Sequence, residues 1–128
     1  MSAAPFYRRV VEETGLSLET AKRATPAVLH ALRDRLTPRE ADQLAAQLPR
    51  EIRAAWNTGN VAGRRPVKIR RPAFYARVRV TAGLASTREA RALTVAVFAA
   101  LKAQVSPGEG EDVRAQLPKD LKTLWEDA

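Results

Sequence analysis

Glu40 and Glu109 occupy matching places in a duplicated sequence, and two carboxylates brought together across a symmetry axis could share acid–base work. Each lies three residues after a hydroxyl, in Thr37-Pro38-Arg39-Glu40 and Ser106-Pro107-Gly108-Glu109. That is the spacing of a capping box with proline at the first helical position. The bland reading is therefore the stronger one: both glutamates cap helices, an effect of about 1 kcal/mol each. The acidic run Glu109, Glu111, Asp112 has neither the ligand spacing nor the terminal glutamate of a calcium loop, so no metal site is expected. His30 is the only histidine, with Ala99 as its counterpart; without a second ligand or a nucleophile it reads as a structural surface residue.

The strongest binding candidate is the stretch Arg64-Arg65-Pro66-Val67-Lys68-Ile69-Arg70-Arg71. Residues 1–56 carry nine basic and seven acidic side chains and residues 74–128 carry eight and seven. Five of the eight excess positive charges thus fall between them, on Arg64, Arg65, Lys68, Arg70 and Arg71, with no acid nearby in sequence. Such a run can follow a phosphate backbone. No aromatic is interleaved to stack on bases, and no helix-turn-helix pattern accompanies it, so any nucleic-acid binding would be independent of sequence. The competing reading is a solvated linker, or arginines paired with acids on the helices.

These groups must be positioned by a sequence that runs twice. Phe6-Tyr7 through Trp56 reappears as Phe74-Tyr75 through Trp125, with Gly15-Leu16 over Gly83-Leu84, Thr25 over Thr94, and Ala46-Gln47-Leu48-Pro49 over Ala115-Gln116-Leu117-Pro118. Phe6, Val10 and Thr14 have helical spacing, as do Phe74, Val78 and Ala82, and a glycine ends each short helix. A longer amphipathic helix follows in each copy. Its apolar stripe is Ala21, Ala24, Val28, Ala31, Leu32 and Leu36 in the first, and Ala90, Leu93, Val97, Ala100, Leu101 and Val105 in the second. Ser86-Thr87-Arg88-Glu89 is a capping box for the second of these helices. Pro26 stands where the second copy has Val95 and should kink the first helix rather than break it, because the stripe keeps its phase.

A third helix in each copy runs to Gln47 or Gln116, and a fourth, opened by Pro49 or Pro118, ends at the tryptophan. Gln47 and Gln116 read as junction residues that satisfy backbone groups freed where one helix gives way to the next. Trp56 and Trp125 should plug the ends of the core; the rival reading makes them exposed interface anchors. No segment of any length has a strand pattern. The fold expected is all-α, a tandem repeat of two four-helix units packed as one pseudo-two-fold domain over 1–128. Repeat one is 6–56, the connector 57–73 and repeat two 74–125. One copy alone would bury too little surface to be comfortably stable.

Composition narrows the function classes. There is no cysteine, which excludes disulfides, thiolate catalysis and zinc–thiolate sites. The start Met1-Ser2-Ala3-Ala4-Pro5 lacks a signal-peptide pattern and no apolar run reaches the length of a membrane span, so a soluble cytoplasmic protein without a membrane partner is expected.

The phrases Arg35-Leu36-Thr37-Pro38 with Glu40-Ala41, Ala45-Ala46-Gln47-Leu48-Pro49 and Ala115-Gln116-Leu117-Pro118 resemble the bacterial and archaeal family catalogued as domain of unknown function 2267. The resemblance covers nearly the whole chain outside the connector. It implies a compact helical fold of two repeats and supplies no activity, cofactor or catalytic residue. The function expected is non-catalytic, a helical module that binds another protein or itself, with no cofactor and no small-molecule substrate. Sequence-independent nucleic-acid binding through the connector is the alternative.

Overall fold

Serine or threonine opens four of the helices, each accepting a backbone N–H from three residues on: Ser17, Thr37, Ser86 and Ser106. The computed structural model describes residues 2–128 and is all-α, with no strand among the described residues. Its eight helices are α1 (Ala4–Thr14), α2 (Leu18–Arg35), α3 (Pro38–Ala45), α4 (Arg50–Asn57), α5 (Arg71–Ala82), α6 (Thr87–Gln104), α7 (Pro107–Gln116) and α8 (Lys119–Asp127). Gly15 and Gly83 end α1 and α5 in the left-handed region, at φ of 75° and 69°, where a side chain would be strained.

Several boundaries differ from those the sequence suggests. Pro49 and Pro118 are N-caps rather than first helical residues, and α3 stops at Ala45, short of Gln47. The connector is shorter than 57–73: Asn57 closes α4, and α5 already begins at Arg71. Glu89 reaches back to the N–H of Ala85, one residue beyond the position that the capping box implies. Pro26 leaves α2 unbroken. The Thr25 hydroxyl beside it donates to the Ala21 carbonyl at 2.6 Å, as Thr94 does to Ala90 at 2.8 Å in α6.

Packing crosses between the halves. α1 lies against α6 and α5 against α2, while α2 meets α6 and α3 meets α7. The apolar stripes of α2 and α6 line one continuous core that also takes Phe6, Phe74, Leu48, Ile52, Leu117 and Leu121. Phe74, Phe98 and Trp125 form an edge-to-face chain with centroids 5.8 and 5.2 Å apart. An ion-pair bridge closes the surface over α2 and α5. Asp34 accepts from Arg33 at 2.9 Å and from Arg77 at 2.7 Å. Burial raises the Asp34 pKa, but the two guanidinium bonds outweigh it and hold the carboxyl below its ordinary value.

Phe6→Ala and Phe74→Ala should each cost about 3–5 kcal/mol, since each ring is fully buried in that shared core. Calorimetry should show either change lowering one transition for the whole chain. Two separate transitions would mean that the halves hold independent cores.

Candidate functional site

Where α3 meets α7, the starts of the two helices are closed by each other's halves. Thr37 and Ser106 cap in the expected direction, accepting from the N–H of Glu40 and of Glu109 at 3.2 Å each. The return bond of the capping box is absent. The Thr37 N–H donates instead to Gln116 Oε1 at 2.9 Å, and the Ser106 N–H to Gln47 Oε1 at 2.7 Å. Gln116 Nε2 also donates to Thr37 Oγ1 at 3.2 Å. The capping role read for Glu40 and Glu109 is thus overturned, and Gln47 and Gln116 serve the opposite half rather than their own junctions. Any acceptor in reach can close a helix start, and the crossing brings a glutamine from the other half there.

Released from capping, the two glutamates turn inward. Glu40 is 7% exposed and Glu109 6%, and the Oε2 atom of each is buried without a hydrogen-bond partner. The two carboxyl groups lie against each other, and one oxygen each from Glu40, Glu109 and Asp112 stand within 4.8 Å of one another. Burial, then the hydrogen bond and charge of Glu40, then Asp112, push the Glu109 pKa up to about 8. At neutral pH Glu109 therefore holds its proton. Glu111 takes no part: it is exposed and faces Arg114 at 3.8 Å. These three carboxylates are where an oxygen-liganded ion would sit. Asp112 is one helical turn beyond Glu109, and the repeat sets Glu109 over Glu40, both visible in the sequence; that the three carboxylates converge is visible only in the fold.

The basic connector is docked, not free. Arg64 caps the end of α2, donating to the carbonyls of Arg33 at 2.7 Å and Leu36 at 2.8 Å. Burial lowers its pKa. The Val67 N–H donates to the Asp34 carbonyl at 2.7 Å, and the Arg71 N–H to Asp120 Oδ2 on α8 at 2.9 Å. Arg64 therefore leaves the set of candidate phosphate contacts, its charge spent on helix carbonyls. Arg65, Lys68, Arg70 and Arg71 remain exposed, and none of them forms an ion pair among the described residues. Arg70 and Arg71 line an open cleft with Lys119, Asp120 and Thr123 of α8.

Both tryptophans are interior, Trp56 at 0% and Trp125 at 2% exposure, so neither presents an interface anchor. The Trp125 indole N–H donates to the Gly110 carbonyl at 3.2 Å; that of Trp56 finds no partner. A basic side chain holds the helix after each ring. Arg33 donates to the carbonyls of Trp56 and Thr58, both at 2.7 Å, and Lys102 to those of Trp125 at 2.8 Å and Ala128 at 3.0 Å. His30 is half-buried and donates Nε2–H to the Ala55 carbonyl at 2.7 Å; burial lowers its pKa, which keeps it a neutral tie between α2 and α4.

Residues 3–124 match the family model described as uncharacterized conserved protein (DUF2267). The chain belongs to that family. No curated protein matches it. The family carries no assigned activity, so the geometry has to supply the functional reading.

Because the Glu109 pKa is raised from 4.5 to about 8, the folded state keeps a proton that the unfolded chain has already released. The stability this provides is complete below about 4.5 and is lost progressively as pH rises through about 8, at up to ~1.4 kcal/mol per pH unit. Glu109→Gln removes the titration while keeping the hydrogen-bonding shape. The difference in Tm between this variant and the wild type should grow in the variant's favour across that window. A constant difference would contradict the raised Glu109 pKa.

Proposed function

We propose that the chain is a tandem repeat of two four-helix units, packed about a pseudo-two-fold axis, that serves as a non-catalytic binding module in the cytoplasm. The reciprocal Gln47 and Gln116 bonds support the two-fold relation, as does the exchange of α1 and α5 onto the opposite long helices. The proposed partner is a polyanion, nucleic acid bound without regard to sequence. The observation that carries this reading is the connector. Four cations are held on an anchored segment and form no ion pair among the described residues, while the tryptophans that could have anchored a protein partner are buried. Anchoring lowers the ordering entropy that a mobile basic linker would lose on binding. No helix among the described residues is long and apolar enough to cross a membrane.

A protein partner or self-association is the second reading. It draws on the groove where Leu18, 53% exposed, lies beside Tyr7 and Val11 of α1, rimmed by Lys22 and Glu51.

Fluorescence anisotropy with a short mixed-sequence duplex tests the first reading. Four phosphate contacts give a log–log salt slope of about −3.6 on duplex DNA. Changing Arg65, Lys68, Arg70 and Arg71 together to alanine should abolish binding without unfolding the chain, because Arg64 and the backbone anchors remain. No binding by wild type at about 50 mM salt would end the nucleic-acid reading. Light scattering that shows a dimer, dissociated by Leu18→Glu, would favour the second.

A further inference from the structure

The buried carboxylates of Glu40 and Glu109 leave an electrostatic account unsettled. Their Oε2 atoms are buried without a hydrogen-bond partner, and both side chains are more than nine-tenths buried beside a neighbouring carboxylate. Burying one such charge without a partner is costly, and burying two side by side is more so. A proton held by Glu109 eases the repulsion but gives no role to Asp112. That residue stands on the solvent side, one turn along α7, with an oxygen inside the same 4.8 Å cluster. Three convergent carboxylate oxygens, two buried and one open to solvent, are what an ion with an entry path would use.

The donor set fixes the class of ion. All three ligands are hard oxygens, with no histidine or cysteine in the group, which favours calcium, magnesium or manganese over zinc or copper. The three oxygens lie within 4.8 Å of one another, close enough for one ion of this class to touch all of them. The N-cap bonds of Thr37 and Ser106 hold Glu40 and Glu109 at the helix starts that form the two sides of the site.

We propose that Glu40, Glu109 and Asp112 form a binding site for a divalent cation of the oxygen-preferring class, which ties α3 of the first half to α7 of the second. Water completes the coordination from the Asp112 side. The cation would strengthen a contact between the halves to which Gln47 and Gln116 already give three hydrogen bonds.

The full chain, stripped with a chelator and held at constant pH, is melted with calcium, magnesium or manganese and again with the chelator restored. At a hundredfold excess over Kd the bound ion should raise Tm by about 5 °C or more. Glu40→Gln and Glu109→Gln keep the side-chain volume and should lose the rise, while Asp112→Asn should weaken it. A second measurement does not depend on the variants. Substoichiometric manganese added to the wild type should broaden the amide signals of Ala41, Gly110 and Val113 before all others. No rise with any of the three ions would overturn the site and leave the proton as the pair's only occupant. An equal rise in Glu40→Gln and Glu109→Gln, or broadening centred elsewhere, would also overturn it.

Discussion

Each half of this protein supplies the hydrogen bond that closes a helix in the other. A helix start leaves backbone N–H groups without partners, and the N-cap residue's own N–H is one that local sequence usually satisfies. Here the Thr37 and Ser106 amides reach across the chain to Gln116 and Gln47. That exchange holds α3 and α7 at crossing distance and frees Glu40 and Glu109 from the local duty their spacing suggests. The buried carboxyl pair, the raised Glu109 pKa and the cluster with Asp112 all follow from this. Around the crossing, α1 on α6 and α5 on α2 repeat the same theme in apolar form: neither half covers its long helix with its own elements alone.

Charge is distributed with the same economy. Arg33 and Lys102 satisfy the carbonyls that follow Trp56 and Trp125, and Arg64 satisfies those at the end of α2. Three of the cations therefore serve as C-terminal caps, where the helix dipole favours them. Those left over on the connector are different in kind, being exposed, anchored through their backbone and unpaired. A surface of that kind suits a partner bearing regularly spaced negative charge, which is why the connector and not a tryptophan carries the proposed function. The part of the carboxyl pair in this account is to couple the halves.

The helices were legible because their signals are local. Hydroxyl caps at Ser17, Thr37, Ser86 and Ser106, the glycines at 15 and 83, and the apolar stripes of α2 and α6 each report on the few residues around them. Pro26 shows the limit of a local rule: proline costs about 3 kcal/mol inside a helix, yet the packed stripe carries α2 through it. The site was mostly illegible because its partners are remote. Glu40 and Glu109 have the spacing of capping residues, and only the crossing of α3 with α7 shows that their caps come from elsewhere. Arg64 has the sequence context of a phosphate contact, but Leu36 and Arg33 claim it once the connector folds back along α2. Trp56 and Trp125 were placed by their stripes, since Ile52 and Leu121 share their faces in the interior.

Amide hydrogen exchange at Thr37 and Ser106 tests the exchanged caps most directly. Gln116→Ala should speed exchange at Thr37 and leave Ser106 protected, Gln47→Ala should do the reverse, and Glu40→Gln should affect neither amide first. If Gln116→Ala left Thr37 unchanged while Glu40→Gln exposed it, each helix would be capped by its own glutamate, and the account of two halves that complete one another at this crossing would be wrong.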